Sequence, residues 1–158
     1  MAHAANLEVI PVDVHGPVAR ACLDSYFEEL AVRFPEGFER EADSARALDE
    51  YLPPAGAFLV AQLAGEPVGC GALRLCSPGI GEIKRMWVSP RVRGRGVARK
   101  LLAALEGAAR ERHLRAVRLD THSSLAEALQ LYRTSGYREI PRFNDNPYAH
   151  HWFEKALD

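Results

Sequence analysis

The residues whose types and spacing point to chemistry lie in one stretch, EIKRMWVSPRVRGRGVARKLLAAL, from Glu82 to Leu105. Within it, Arg91-Val92-Arg93-Gly94-Arg95-Gly96 places three arginines and two glycines directly before an apolar run. In that run Val97, Ala98, Leu101, Leu102, Leu105, Ala108 and Ala109 fall at helical spacing. A glycine turn feeding a helix is suited to hold an anion. The first-turn N–H groups have no partner inside the helix, and the helix dipole adds partial positive charge at the same end. Glycines let a phosphate come close to the backbone. The pattern lacks the further glycine of a dinucleotide fingerprint, and Lys100 does not supply the Gly-Lys-Ser/Thr ending of a nucleotide P-loop. The competing reading is a helix that merely starts after a glycine turn, with its arginines solvated.

Composition narrows the ligand. Net charge is −1, which exerts no general pull on nucleic acid or anionic lipid. The positive charge is local instead: Lys84, Arg85, Arg91, Arg93, Arg95, Arg99 and Lys100 cluster in sequence. That favours a small anionic ligand. With 158 residues and 47% apolar content, the chain predicts one globular domain, residues 1–158. Cys22, Cys70 and Cys76 are odd in number and form no CxxC, so a disulfide framework or zinc site is not expected. The histidine spacing likewise suggests no metal. No apolar run is long enough to span a bilayer, and MAHAANLEVI does not read as a signal peptide. These features predict a reducing, cytoplasmic setting.

The elements that must position this stretch can be read in order. Leu7 to Val12 alternates like a strand, and Pro11 suggests a sheet edge. Gly16-Pro17 opens a helix to about Arg33, with Val18, Cys22, Leu23, Tyr26, Phe27 and Leu30 on its apolar face. Phe34 to Phe38 reads as a turn with two exposed aromatics, and Asp43-Ser44 as the cap of a short helix from Ala45 to Tyr51. Phe58 to Leu63 and Val68 to Leu75 form a hairpin around Ala64-Gly65-Glu66-Pro67. Gly69 and Gly71 mark a bulge or a close backbone approach. Ile83 to Val88 is the central strand, stopped by Ser89-Pro90. After the long helix come a strand at Ala116 to Asp120 and a capping box, Ser124-Leu125-Ala126-Glu127, that starts another helix. Gly136 ends that helix. Strands at Tyr137 to Ile140 and Ala149 to Ala156 complete an α+β pattern.

The Arg91–Gly96 segment resembles the acetyl-CoA signature of the GNAT-type N-acetyltransferase superfamily, which reads Gln or Arg, two residues, Gly, one residue, then Gly or Ala. Ala128-Leu129-Gln130-Leu131-Tyr132-Arg133-Thr134-Ser135-Gly136-Tyr137 is similar to that superfamily's second signature, so the resemblance covers most of the chain. It implies a three-layer α/β/α fold around a mixed, mostly antiparallel sheet of six to seven strands, splayed at the cofactor cleft. It also implies that acetyl-CoA is the cosubstrate. Backbone amides of Arg93, Gly94, Arg95, Gly96, Val97 and Ala98 would hold its pyrophosphate, with Arg91 nearby. The Met86, Trp87 and Val88 strand would pair with its pantetheine arm and supply an oxyanion donor. One position departs from the pattern: Leu125 stands where many members carry Asn, which passes that polar contact to Ser123 or Ser124.

The resemblance further implies Tyr132 as the acid that protonates the coenzyme A sulfur. Glu82 is the corresponding candidate for the base, acting through water, and its rival role is a structural pairing with Lys84. His122 is a second base candidate; His150 and His151 either face the pocket or form a surface pair. The acceptor would be a primary amine of a small molecule or peptide, shaped by residues 33–56 and Asn144 to His151. Phe34, Phe38 and Tyr51 either line its pocket or pin the loop to the core. Glu36, Glu39, Glu41 and Asp43 hint at a cationic acceptor or form a solvated acidic loop. A homodimer is common in the superfamily. A different class of function on the same fold is a non-catalytic acyl-CoA sensor or scaffold.

Overall fold

The computed structural model describes residues 6–38 and 45–158. Its strands are β1 (Leu7–Pro11), β2 (Ala57–Leu63), β3 (Glu66–Ser77), β4 (Ile80–Val88), β5 (Ala116–Thr121), β6 (Arg138–Ile140) and β7 (His151–Ala156). The helices are α1 (Pro17–Arg33), the short α2 (Ala45–Leu48), α3 (Val97–Glu111) and α4 (Ala126–Thr134). All strands join one sheet in the order β1-β2-β3-β4-β5-β7-β6. β1 is an edge strand, which suits Pro11 because a proline has no N–H for a second neighbour.

Each face of the sheet carries its own core. On one face Leu101, Leu102 and Leu105 of α3 pack with Leu73, Val117, Leu119 and Phe153, and α4 adds Leu129, Leu131 and Tyr132. On the other face Ala19, Cys22, Leu23, Phe27 and Leu30 of α1 pack with Phe58, Val60, Cys70 and Ala72. The middle of β2 is therefore buried on both faces, from Ala57 to Ala61. This is the three-layer arrangement, with apolar strands sandwiched between helices.

The sheet is antiparallel except at one seam. β4 and β5 run parallel and pair only at Ile80–Ala116, Gly81–Val117 and Glu82–Arg118. Beyond Glu82 the two strands separate, so residues 83–88 of β4 have no β5 partner. A second irregularity deepens this opening. The β3–β4 register jumps between Cys70 and Ala72, and opposite the jump Arg85 has φ +59°. A non-glycine residue at positive φ is a β-bulge signature that redirects the strand and its side chains.

Gly69 and Gly71 are needed at this bend. A Cβ on Gly69 would lie 2.8 Å from the Trp87 carbonyl oxygen, and one on Gly71 would lie 2.6 Å from Leu105 Cδ1. Both strands of the bend thus press against each other and against α3 too closely for any side chain.

Several local expectations change. β3 and β4 are longer than their apolar cores suggest, since the ladder continues through polar residues to the tight Ser77-to-Ile80 turn. β7 begins at His151 because Ala149 and His150 still belong to the incoming loop. The capping box does not form. Leu125 is the N-cap of α4 without a side-chain cap, because Ser124 bonds His122 and Glu127 pairs with Arg33. Phe34 is buried rather than exposed, packed into the α1 core. The Asp43-Ser44 cap lies outside the described residues.

Gly69→Ala should lower unfolding free energy by roughly 1–3 kcal/mol, the usual cost of overpacking a rigid site. Urea denaturation read by tryptophan fluorescence checks this, and an unchanged midpoint would contradict the close approach to Trp87.

Candidate active site

The opened seam between β4 and β5 leads into two adjoining cavities. One, about 330 Å³, lies against the start of α3 and the outer face of β4. The other, about 440 Å³, lies under α1 and the incoming loop of β7. They share Tyr26, Leu30, Met86, Leu125, Ala128 and Tyr132 as common walls.

The smaller cavity gathers the sequence-predicted cofactor residues Met86, Trp87, Val88, Arg93, Gly94, Gly96, Val97 and Ala98. Gly94 and Gly96 have φ +81° and +80°, with open space where a Cβ would stand. Their role is conformational: they turn the chain so that successive N–H groups face the cavity. Lys100 is the first residue to donate back to the turn, to the Gly96 carbonyl. Among the described residues, no protein acceptor takes the N–H groups of residues 93–99. The mouth therefore offers unpaired donors at the positive end of α3.

Side-chain arginines are used differently from the backbone. The Arg93 guanidinium donates to Glu29 and to the Val88 carbonyl, so it braces α1 against the turn. Arg91 is exposed beside Glu66, and Arg95 is exposed; neither lines the cavity. Arg99 does line it, while bonding Thr134 and Ser135 at the end of α4. It belonged to the basic cluster in sequence, yet only the crossing of α3 and α4 brings it to the wall. Ser124 does not reach the cofactor-side cavity: its Oγ lies 2.8 Å from His122 Nδ1, and its carbonyl accepts from Arg33. Leu125 fills the corresponding wall with an apolar side chain.

Tyr132 stands where the cavities meet and is 5% exposed. Burial pushes its hydroxyl well above the ordinary tyrosine range, and the nearby Tyr26 and Asp120 push it further. It therefore keeps its proton at neutral pH.

Glu82 is placed elsewhere than a base requires. It is buried, with Arg74 Nη1 at 2.7 Å, Lys84 Nζ at 3.6 Å and the Asn144 amide at 3.3 Å, and it lines neither cavity. Two cations and an amide hold this carboxylate at the last paired position of the β4–β5 seam. The structural pairing with Lys84 is thus the observed one.

The larger cavity has its own ionisable groups. Asp120, on β5, lines it and accepts from Asn144 Nδ2 at 2.6 Å and Asn146 Nδ2 at 3.1 Å. Sequence reasoning passed over Asp120. Its only signal was a charged residue between Leu119 and Thr121 at the end of a strand, just where the strand must splay. His122 is buried in the same wall, with its ring stacked on Phe34 at 4.0 Å and Nε2 2.6 Å from Glu36 Oε1. Its Nδ1 accepts the Ser124 N–H at 3.0 Å. His150 Nδ1 similarly accepts the Ser123 N–H at 3.2 Å. Glu36, His122 and His150 bring potential ligand atoms within 4.8 Å of one another. The backbone donors at both Nδ1 atoms keep each neutral ring's proton on Nε2, whereas a ligating histidine uses one nitrogen's lone pair and donates from the other. This arrangement suits hydrogen bonding to Glu36 better than metal ligation. His151 pairs with Glu139 instead.

Comparison with known proteins assigns this geometry. The sequence model of the Acetyltransferase (GNAT) family matches residues 23–137. A protein of Azospirillum brasilense named IAA acetyltransferase is 36% identical over 123 residues, 77% of this chain and 79% of its own. The fold is that of a GNAT-family acetyltransferase of Staphylococcus aureus, with TM-score 0.79 and 20% identity over 97% of this chain and all of that one. A GNAT-family acetyltransferase of Elizabethkingia anophelis with acetyl-CoA bound superposes with TM-score 0.66 and 19% identity, covering 96% and 99% of the two chains. The chain belongs to the GNAT acetyltransferase family.

A clasp joins α1 to α4 across the smaller cavity. Arg33 Nη2 donates to Glu127 Oε2 at 2.9 Å. That hydrogen bond holds the Glu127 carboxyl below its ordinary range. A depressed carboxyl contributes stability that is complete above its unfolded value and lost as pH falls through the folded one. Glu127→Gln should therefore cost stability at neutral pH, by under about 1 kcal/mol for so exposed a pair. The gap to wild type should close in acid. Thermal melts of both proteins at neutral and acidic pH check this, and a gap that widens in acid would refute it.

Proposed function

We propose that the protein transfers the acetyl group of acetyl-CoA directly to a primary amine. The observation that carries this reading is the meeting of two cavities at one buried tyrosine. One cavity presents unpaired N–H donors at the start of α3; the other presents a carboxylate and an imidazole. The first suits the coenzyme's diphosphate and the second a nucleophile.

In this reading the donors at residues 93–98 hold the diphosphate, and the open edge of β4 from Met86 to Val88 guides the pantetheine arm inward. The amine nitrogen attacks the thioester carbonyl carbon. The C=O electrons move to oxygen, and a β4 backbone N–H steadies that oxyanion. When the C–N bond is made the oxyanion's electrons re-form C=O and the C–S bond breaks; the sulfur takes the proton of the Tyr132 hydroxyl, which regains one from solvent water before the next turnover. The amine's own proton leaves through water to the Asp120–His122 wall, with Glu36 linking His122 to solvent. Holding the reactants in register accounts for much of the acceleration, up to roughly 7–11 kcal/mol in well-oriented systems.

A primary amine on a small molecule or peptide is the acceptor class. The relative from Azospirillum is named for IAA, which therefore joins the compounds to be assayed.

Tyr132→Phe should leave coenzyme A affinity unchanged by isothermal titration and reduce kcat by about a hundred-fold or more. A thiol-release assay over a panel of amines measures the second quantity. Full turnover by the variant would remove Tyr132 from the reaction, and absence of coenzyme A binding by the wild type would end the reading.

A further inference from the structure

We propose that Asp120 seats the acceptor amine as an ammonium ion, and that Asn144 and Asn146 are the positioning residues that aim its carboxylate into the larger cavity. The acceptor class that follows is a cationic amine with an apolar body. This rests on the larger cavity being the acceptor site, as argued above.

The first ground is where the strand puts the side chain. Side chains alternate along a strand. On β5, Val117 and Leu119 enter the core shared with α3. Arg118 and Asp120 therefore fall on the opposite face, toward α1. β4 has already parted from β5 at the Glu82–Arg118 pair. Asp120 stands two residues past that last rung and lines the cavity. Its charge reaches the hydroxyls of Tyr26 and Tyr132. Burial is the largest cause of the upward push on each, and Asp120 adds to it. An ammonium held at Asp120 is thus near the tyrosine that both cavities share.

The second ground is the frame around the carboxylate. Asn144 Nδ2 donates to Asp120 Oδ2 at 2.6 Å and to Glu82 Oε2 at 3.3 Å. Asn144 Oδ1 accepts from Trp152 Nε1 at 2.9 Å and from the Asn146 N–H at 3.2 Å. Asn146 Nδ2 donates to Asp120 Oδ1 at 3.1 Å, and its Oδ1 accepts the Tyr148 N–H at 3.0 Å. Both amides can stand only one way round, because an indole or backbone N–H only donates and an ionised carboxylate only accepts. Trp152 is also the cross-strand partner of Asp120. The same β7 residue that pairs with Asp120 in the sheet therefore fixes the amide that holds it.

The third ground is charge. Each Asp120 oxygen accepts one amide hydrogen, which leaves about half of its acceptor sites open. Among the described residues, its side-chain donors are these two neutral amides. An amide orients a charge without cancelling it. Other charged groups on the cavity wall are engaged. Lys84 lies 3.6 Å from Glu82, Asp145 pairs with Arg142, and Arg85 bonds Tyr26 and stands over the Phe27 ring. Phe34 and Phe38 add apolar rings to the same wall, and about 440 Å³ accommodates an apolar body.

The test measures binding to protein saturated with coenzyme A, where no turnover is needed. Isothermal titration compares phenethylamine, an ammonium ion at neutral pH, with 2-phenylethanol, a neutral molecule of the same size. The wild type should bind phenethylamine at least roughly tenfold more tightly, the size of one charge-assisted hydrogen bond. In Asp120→Asn that preference should fall to within about threefold of unity. In Asn144→Ala and Asn146→Ala it should drop by at least about threefold, and Asn146→Gln should restore part of it. A merely damaged fold would weaken both probes alike, and coenzyme A binding by each variant, measured in parallel, reports that the fold is intact. Phenethylamine that does not bind the wild type, or binds no more tightly than the alcohol, overturns the proposal without any variant. So does a preference that survives in Asp120→Asn. A preference unmoved in both alanine variants removes the asparagines from their role. Thiol release is assayed separately: its absence with every amine would sink the transferase reading, while the binding preference still judges Asp120.

Discussion

The structure depends on the parting of β4 from β5. Two parallel strands that paired along their whole length would satisfy each other's backbone groups and leave nothing for a ligand. These strands pair at three positions and then diverge. The last pair, Glu82–Arg118, is braced by Arg74, Lys84 and Asn144 around a buried carboxylate. A buried charge is tolerated when cations and donors surround it, and here that arrangement anchors the hinge of the V. Past it, the bulge at Arg85 and the glycines at 69 and 71 bend β4 away from β5. The cleft is thus a consequence of backbone pairing withheld, made stable by polar contacts at its apex.

The two cavities differ in chemistry because different elements wall them. The start of α3 contributes main-chain donors to one; their number does not depend on side-chain identity, and the arginines beside them are free to brace the fold. Arg93 ties the turn to α1, and Arg33 ties α1 to α4. The other cavity takes its character from side chains on widely separated segments, among them α1, the Phe34–Phe38 turn, β4, β5, α4 and the loop before β7. Tyr132 serves both because α4 crosses the open end of the V. Its burial and its proximity to Tyr26 and Asp120 keep the phenol neutral where the two cavities meet.

Much of this was legible in one dimension. The order of elements, the edge position of β1, the start of α1 at Pro17 and the glycine turn before α3 all follow from local rules of backbone and periodicity. The resemblance to the family pointed to Tyr132 and to Met86, Trp87 and Val88 of β4, and these residues line the cavities. The misreadings share a cause. Ser124 and Glu127 have the spacing of a capping box, but His122 and Arg33, distant or sterically better placed, compete for the same side chains. Glu82 looked available because its partner Arg74 lies on the neighbouring strand and Asn144 sixty-two residues away in sequence. Phe34 looked exposed because much of its cover comes from residues distant in sequence, His122 and Tyr148.

By itself, then, the sequence determined what is local: which segments are strands or helices, where glycine must permit a left-handed turn, and that a run of unpaired amides begins α3. Such features arise from interactions within a few residues. Which ionisable side chain faces a cavity and which is neutralised by a partner was decided only by tertiary structure. Asp120, Glu82, His122 and Arg85 differ little as residues in a string. They differ in their surroundings because electrostatic and hydrogen-bond partners come from strands and loops whose distance along the chain carries no information about their distance in space.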